Sequence, residues 1–214
     1  MPEITTQQDA KCRSCRRCGR KLFLKGDRCL TPSCAVTKRK YGPGMHGEKK
    51  VASRTSDYGS QLKEKQSART SYNLRERQFK AYFDKAVSHE GETGQNFYQV
   101  LELRLDNIVR RLGWGKSMKH SRQLVNHGHF LVNGKKVSIP SYQVKVNDII
   151  TVKEASMKNR QAFADLAERM KGKEVADWLF YDEKEISGKV VGVPNVSKVA
   201  LDFDLKAIIE FYSR

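Results

Sequence analysis

All five cysteines of the chain, Cys12, Cys15, Cys18, Cys29 and Cys34, lie in one short stretch, CRSCRRCGRKLFLKGDRCLTPSC. An odd count cannot pair completely within one chain, and two close pairs at C-x₂-C and C-x₄-C suit a tetrahedral metal site better than a disulfide knot. Two registers fit: Cys12 and Cys15 with Cys29 and Cys34, or Cys15 and Cys18 with Cys29 and Cys34. Either would close four thiolates around one zinc ion with no position left for a substrate, so the role would be structural. Free thiols and an iron–sulfur cluster are the competing uses. Arg13, Arg16, Arg17, Arg20 and Lys21 are interleaved with the thiols, where they would favour the thiolate form and line an RNA-facing surface.

The second chemistry-bearing feature is positive charge. The 214 residues carry 41 Lys+Arg against 24 Asp+Glu, a net +17. Residues 1–80 hold 20 basic and 7 acidic residues, whereas the remainder holds 21 and 17. A field this positive and this clustered favours a polyanion, nucleic acid above all. Residues 37–59, TKRKYGPGMHGEKKVASRTSDYG, mix cations with Gly, Pro and Ser and have no apolar period, the composition of an extended arm. Lys38, Arg39, Lys40, His46, Lys49, Lys50 and Arg54 could follow a phosphate backbone there, with Tyr41 stacking. A solvated loop is the plainer reading of each.

These groups need elements to position them. From Gln61 to Val87 the pattern is helical, with Asn73 and Glu76 spaced like a capping box and Leu74, Phe79, Tyr82, Phe83, Ala86 and Val87 forming a core face. Arg69 of this run is a further RNA-binding candidate. One helix is predicted over 97–113, with Leu101, Leu105, Ile108, Val109 and Leu112 as its stripe and Gly113 as its stop. Ser117 caps the next, SMKHSRQLVNHG, which ends at Gly128. Asn133-Gly134 between apolar residues predicts a hairpin. A turn at Pro140-Ser141 leads to YQVKVNDIITV, read as strand. SMKNRQAFADLAERM reads as a helix capped by Ser156, WLFY and KVVGV as short strands, and LFLKGDR as a short strand entering a turn. Helix, helix and small sheet could place Arg104, Arg111, Lys116, Lys119, Arg122, His127 and His129 on one side, suited to the shape and backbone of structured RNA.

Enzyme chemistry finds little support. His89-Glu90 lacks the second histidine of a metalloprotease helix, since position 93 is Thr. GWGKS follows a helix and has Arg110 where a phosphate loop needs glycine. Asp106 sits among arginines and reads as an ion-pair partner. A DNA-binding regulator would show a C₂H₂ pattern or leucine heptads, and neither occurs. No apolar run approaches the ~20 residues that span a bilayer, and the polar start MPEITTQQDA has no secretory pattern, so a cytoplasmic protein is expected.

LELRLDNIVRRLGWGKSMKHSRQLVNHGHFLVNGKKV, residues 101–137, resembles the small RNA-binding module named after ribosomal protein S-four. YGPGMHGEKK, SDYGSQLKEKQ, LRERQF and IIEFYSR are similar to the ribosomal family itself, in the same order and over nearly the whole chain. The resemblance implies a bacterial or organellar small-subunit ribosomal protein, monomeric in the ribosome, that binds the 5′ domain of the rRNA and nucleates the subunit body. It implies a place near the channel where mRNA enters, beside ribosomal proteins S-three and S-five, an influence on decoding accuracy, and possible repression of its own mRNA. The rival is an RNA-modifying enzyme or a stress-related RNA-binding protein built on the same module. For the zinc-bearing members the resemblance matches Cys12, Cys15, Cys29 and Cys34, leaving Cys18 as the alternative ligand. The implied fold is α+β: a zinc module and helical domain over 1–98 closed by 197–214, with a second domain, 99–196, inserted and holding the RNA-binding module at about 101–165.

Overall fold

The computed structural model describes residues 11–47, 55–157, 163, 166, 170, 175–183, 185–199 and 201–214. In chain order these form α1 Lys11–Cys18, a 3₁₀ turn Gly26–Cys29, α2 Ala35–Lys38, α3 Asp57–Ser71, α4 Glu76–Val87, α5 Thr93–Glu102, α6 Leu105–Arg111 and α7 Met118–Asn126. Strands β1 Phe130–Val132, β2 Lys135–Lys136 and β3 Ile149–Val152 follow, then α8 Glu154–Met157, β4 Leu179–Asp182, β5 Ser187–Val190, a 3₁₀ turn Val196–Lys198 and α9 Leu205–Tyr212. The fold is α+β, and the chain divides into two compact units, Met1–Lys85 with Ala200–Arg214 and Ala86–Val199.

In the first unit, α9 packs along α3. Asp204 caps α9 by accepting the Lys206 and Ala207 N–H groups at 2.8 and 3.4 Å, satisfying donors that the first turn leaves orphaned. Phe211 meets Tyr58 at 5.6 Å, Tyr212 meets Phe83 at 4.8 Å, and the Lys65 ammonium lies 4.7 Å from the Phe211 ring centre. Asn73 does not cap α4. With φ +52° it is the left-handed residue that ends α3, and the Leu74 N–H donates to the Arg69 carbonyl at 3.0 Å. Asparagine suits both positions, so the capping-box spacing pointed to the wrong helix end. The short strand expected in LFLKGDR is likewise not formed; Phe23 and Gly26 both take positive φ and the chain turns directly into the 3₁₀ segment.

In the second unit an antiparallel sheet of order β2-β1-β3-β5-β4 carries the core. Trp114, Phe130, Ile108, Leu112, Ile150 and Val190 are fully buried within it, with Trp114 stacked on Phe130 at 5.5 Å. The predicted hairpin is present: Asn133 and Gly134 have φ +50° and +77°, which sets Val132 opposite Lys135. The cap by Ser117 is present too, accepting from the His120 N–H at 3.3 Å.

The second unit departs from the sequence expectation in three places. The helix expected over 97–113 is two, α5 and α6, because residues 103–106 turn aside to pair with 140–144: the Val144 N–H donates to the Leu103 carbonyl (2.9 Å), and the Leu105 and Asp106 N–H groups donate to the carbonyls of Tyr142 (2.9 Å) and Pro140 (3.2 Å). Of YQVKVNDIITV only Ile149–Val152 is strand, since Asn147 turns at φ +72°. Ser156 lies inside α8 rather than capping a helix, and its hydroxyl engages His129; most of 158–170 is outside the described residues, although Phe163, Leu166 and Met170 are helical and buried.

Candidate metal and nucleic-acid interface

Helix α1 places Cys12 and Cys15 one turn apart, and Gly19 ends it at φ +73°. Cys29 closes the 3₁₀ turn, where its Sγ accepts the Lys25 N–H at 3.3 Å, and Cys34 stands at the start of α2. Cys12, Cys15, Cys29 and Cys34 all line one small cavity of about 20 Å³, together with Leu24 and Val36. Cys18 does not line it; it is buried in an apolar cluster with Cys15 and Leu22. Burial pushes the Cys15 thiol up, reinforced by its neighbouring cysteines. At Cys34 burial acts upward as well, but the α2 amides of Val36 and Thr37 and the Lys21 charge prevail and hold the thiol below its ordinary value. Among the described residues no three His, Cys, Asp or Glu side chains stand grouped as an assembled metal site. The donor chemistry fits zinc: four cysteine sulfurs are a soft set that needs no further ligand.

The cations nominated from sequence divide into those that face solvent and those already engaged. Arg13, Arg17, Lys38, Arg39, Lys40 and His46 are exposed, and Lys21 is half-buried. Lys49, Lys50 and Arg54 lie outside the described residues. Arg16 donates to the carbonyls of Tyr41 and Gly42. Arg20 binds Ser67 and Glu64. Arg69 donates to Gln66 at 2.9 Å and stands 3.5 Å from Glu76.

In the second unit Lys116, Lys119 and His127 are exposed. Arg104 is fully buried and forked onto Asp106 at 3.0 and 2.7 Å, so it supports the helix junction and cannot serve as the surface cation expected of it. Burial pushes the Asp106 carboxyl up against the pull of the Arg104 and Arg122 charges. Arg111 forks onto the buried Glu102 at 2.9 and 2.7 Å, and Arg122 comes within 3.7 Å of Asp106; each keeps about a third of its side chain exposed. His129 is half-buried, 2.9 Å from the Ser156 hydroxyl and edge-on to Phe163. Burial, then the neighbouring His127, holds its pKa below the ordinary histidine value.

Sequence reasoning missed Lys135 and Lys136, both exposed. The Lys136 side chain runs across Gly128, where a Cβ would collide with it, and so joins the His127–His129 turn. The Asn-Gly hairpin signal contained this, because folding at 133–134 returns Lys136 beside Leu131.

Residues 7–102 match the family described as ribosomal protein S4/S9 N-terminal domain, and residues 103–150 match the S4 domain. The chain belongs to the ribosomal protein S4 family. Among its relatives, the small ribosomal subunit protein uS4 of Acetivibrio thermocellus is 50% identical over 205 residues, covering 96% of this chain and 97% of that protein. That of Ruminiclostridium cellulolyticum is 48% identical over 206 residues, with 96% and 98% covered, and uS4A of Alkaliphilus oremlandii shows the same identity and coverage. The S4-domain match begins at Leu103 and so takes in the buried Arg104–Asp106 pair and the α6–α7–hairpin module that carries the exposed lysines.

Proposed function

We propose that this member of the S4 family is a structural, non-catalytic component of the small ribosomal subunit that binds its rRNA in the cytoplasm. The observation that carries this reading is identity of about one half across nearly the full length of relatives named for that subunit. The exposed cations of each unit support it, since a phosphate backbone is the partner they fit. At the finer level, it contacts the 5′ domain of the rRNA, helps nucleate the subunit body, and lies beside ribosomal proteins S-three and S-five near the channel where mRNA enters, with effects on accuracy and on its own mRNA. One zinc ion, held by Cys12, Cys15, Cys29 and Cys34, cross-links the N-terminal module; the cavity those four share, with Cys18 packed elsewhere, supports that ligand set.

The test is competition. Small-subunit rRNA should bind the full chain and be displaced poorly by duplex DNA. With ~6–10 phosphate contacts, affinity should fall on the order of 10³–10⁵-fold between 50 and 200 mM salt. A nearly flat salt response, or equal displacement by DNA, would overturn the reading.

A further inference from the structure

Arg16 sits on α1 among the cysteines, where its charge marks it as an RNA ligand. Its guanidinium is turned elsewhere. Nε donates to the Tyr41 carbonyl at 3.0 Å, Nη2 donates to the Gly42 carbonyl at 2.7 Å, and the same group lies 4.8 Å from the centre of the Tyr41 ring. Two hydrogen bonds and a ring contact use the planar fork in a way an ammonium cannot reproduce.

What Arg16 holds is a closed turn. Gly44 has φ +102°, the Gly47 N–H donates to the Gly44 carbonyl at 3.2 Å, and Gly47 approaches Gly42 so closely that a Cβ would collide with the Gly42 carbonyl oxygen. The Gly42 carbonyl thus both accepts from Arg16 and packs closely against Gly47. The turn presents Met45, 88% exposed, with His46 exposed beside it. Exposed Lys38, Arg39 and Lys40 lead into it.

We propose that Arg16 is a positioning residue rather than an RNA contact: it pre-forms the 41–47 turn in the shape in which Met45 and His46 meet rRNA. Fixing the turn before binding removes an ordering cost from the encounter. Met45 supplies an apolar surface to lay against a base or sugar, as apolar wedges do at other nucleic-acid interfaces, while the neighbouring cations take the phosphates. The proposal rests on the rRNA-binding reading above.

The experiment compares the full chain with Arg16→Lys, Arg16→Ala, Gly47→Ala and Met45→Ala, each titrated with small-subunit rRNA over a range of salt, and follows amide exchange at 41–47 without RNA. Arg16→Lys keeps the charge and loses the fork; Gly47→Ala leaves Arg16 and every charge in place and breaks the closure. Both, with Arg16→Ala, are expected to weaken binding on the order of 10-fold at wild-type salt slope and to speed exchange at Gly47. Met45→Ala should weaken binding without changing exchange. Wild-type affinity for Arg16→Lys with a slope reduced by about 1 for Arg16→Ala would make Arg16 a phosphate ligand and overturn the proposal. So would wild-type affinity for Gly47→Ala or Met45→Ala. Should the unmodified chain fail to bind rRNA, the rRNA reading itself falls.

Discussion

The cysteine module and the second unit's core reach order by different means. Among the described residues the module buries little beyond its cysteines: Cys15, Cys18, Cys29, Cys34 and Leu22, with Leu24 and Val36 partly covered, while Leu30 stands 72% exposed. The second unit surrounds Trp114 and Phe130 with aliphatic side chains from α6, α7, strands β1, β3, β4 and β5, and the helical residues Leu166 and Met170. A piece as small as the module cannot offset its chain entropy by apolar burial alone, whereas the second unit can. The difference teaches where the proposed zinc ion would add order and where apolar burial suffices.

Metal removal should break this comparison most sharply. Chelation, or Cys29→Ser, is expected to abolish protected amides across 11–47 while the second unit melts unchanged, because structural zinc contributes on the order of 10 kcal/mol to such modules. Hydrogen exchange reads the first effect, and native mass spectrometry should count one zinc in both the wild type and Cys18→Ser. Protection that survives a zinc-free chain would mean that the small apolar cluster suffices.

The converse lesion is Trp114→Ala. It removes a fully buried ring and should cost about 3–5 kcal/mol in a denaturant melt of the second unit, with zinc content unaltered. Smaller is Ser117→Ala: losing the bond to the His120 N–H should cost ~1 kcal/mol by the same melt.

The smallest effect concerns the first unit's helical part. Burial raises the Glu76 carboxyl, but hydrogen bonds from Lys65 and Tyr212 and the charges of Lys65 and Arg69 outweigh it and leave it below the ordinary range. A depressed carboxylate gives stability that is complete above its unfolded value, ~4.3, and drains as pH falls through the folded one. Glu76→Gln should therefore flatten the acid limb of the stability profile slightly, since the group is half exposed and screened.

Signals contained in a few neighbouring residues were legible. Ser117, Gly113, Gly128 and Asn133-Gly134 all act where they were expected, because a cap or a left-handed turn is decided locally. Features set by distant chain were not. Nothing within 97–113 says that 140–144 will pair with its middle and split the helix. Charge was the other blind spot: the sequence offers Arg16, Arg104 and Arg111 as ready cations, and only the fold supplies the Tyr41 and Gly42 carbonyls, Asp106 and Glu102 that take them. Spacing alone left two cysteine registers open; in the fold Cys12, Cys15, Cys29 and Cys34 share a cavity that Cys18 does not line, although Cys18 packs with Cys15.

The split between α5 and α6 also sets a timetable for synthesis. The start of α6 is tied to carbonyls at Pro140 and Tyr142, and the end of α5 takes its partner from Val144. A nascent chain that has just extruded α6 lacks those partners until ~30 further residues emerge, roughly 1.5–6 s at typical elongation rates of ~5–20 residues per second. Until then Arg104 and Asp106 have no enclosed site to enter, although α7 is already available to cover part of the α6 stripe. The second unit completes its core later still, when β4 and β5 emerge, β5 pairs with β3, and the two strands supply Leu179 and Val190.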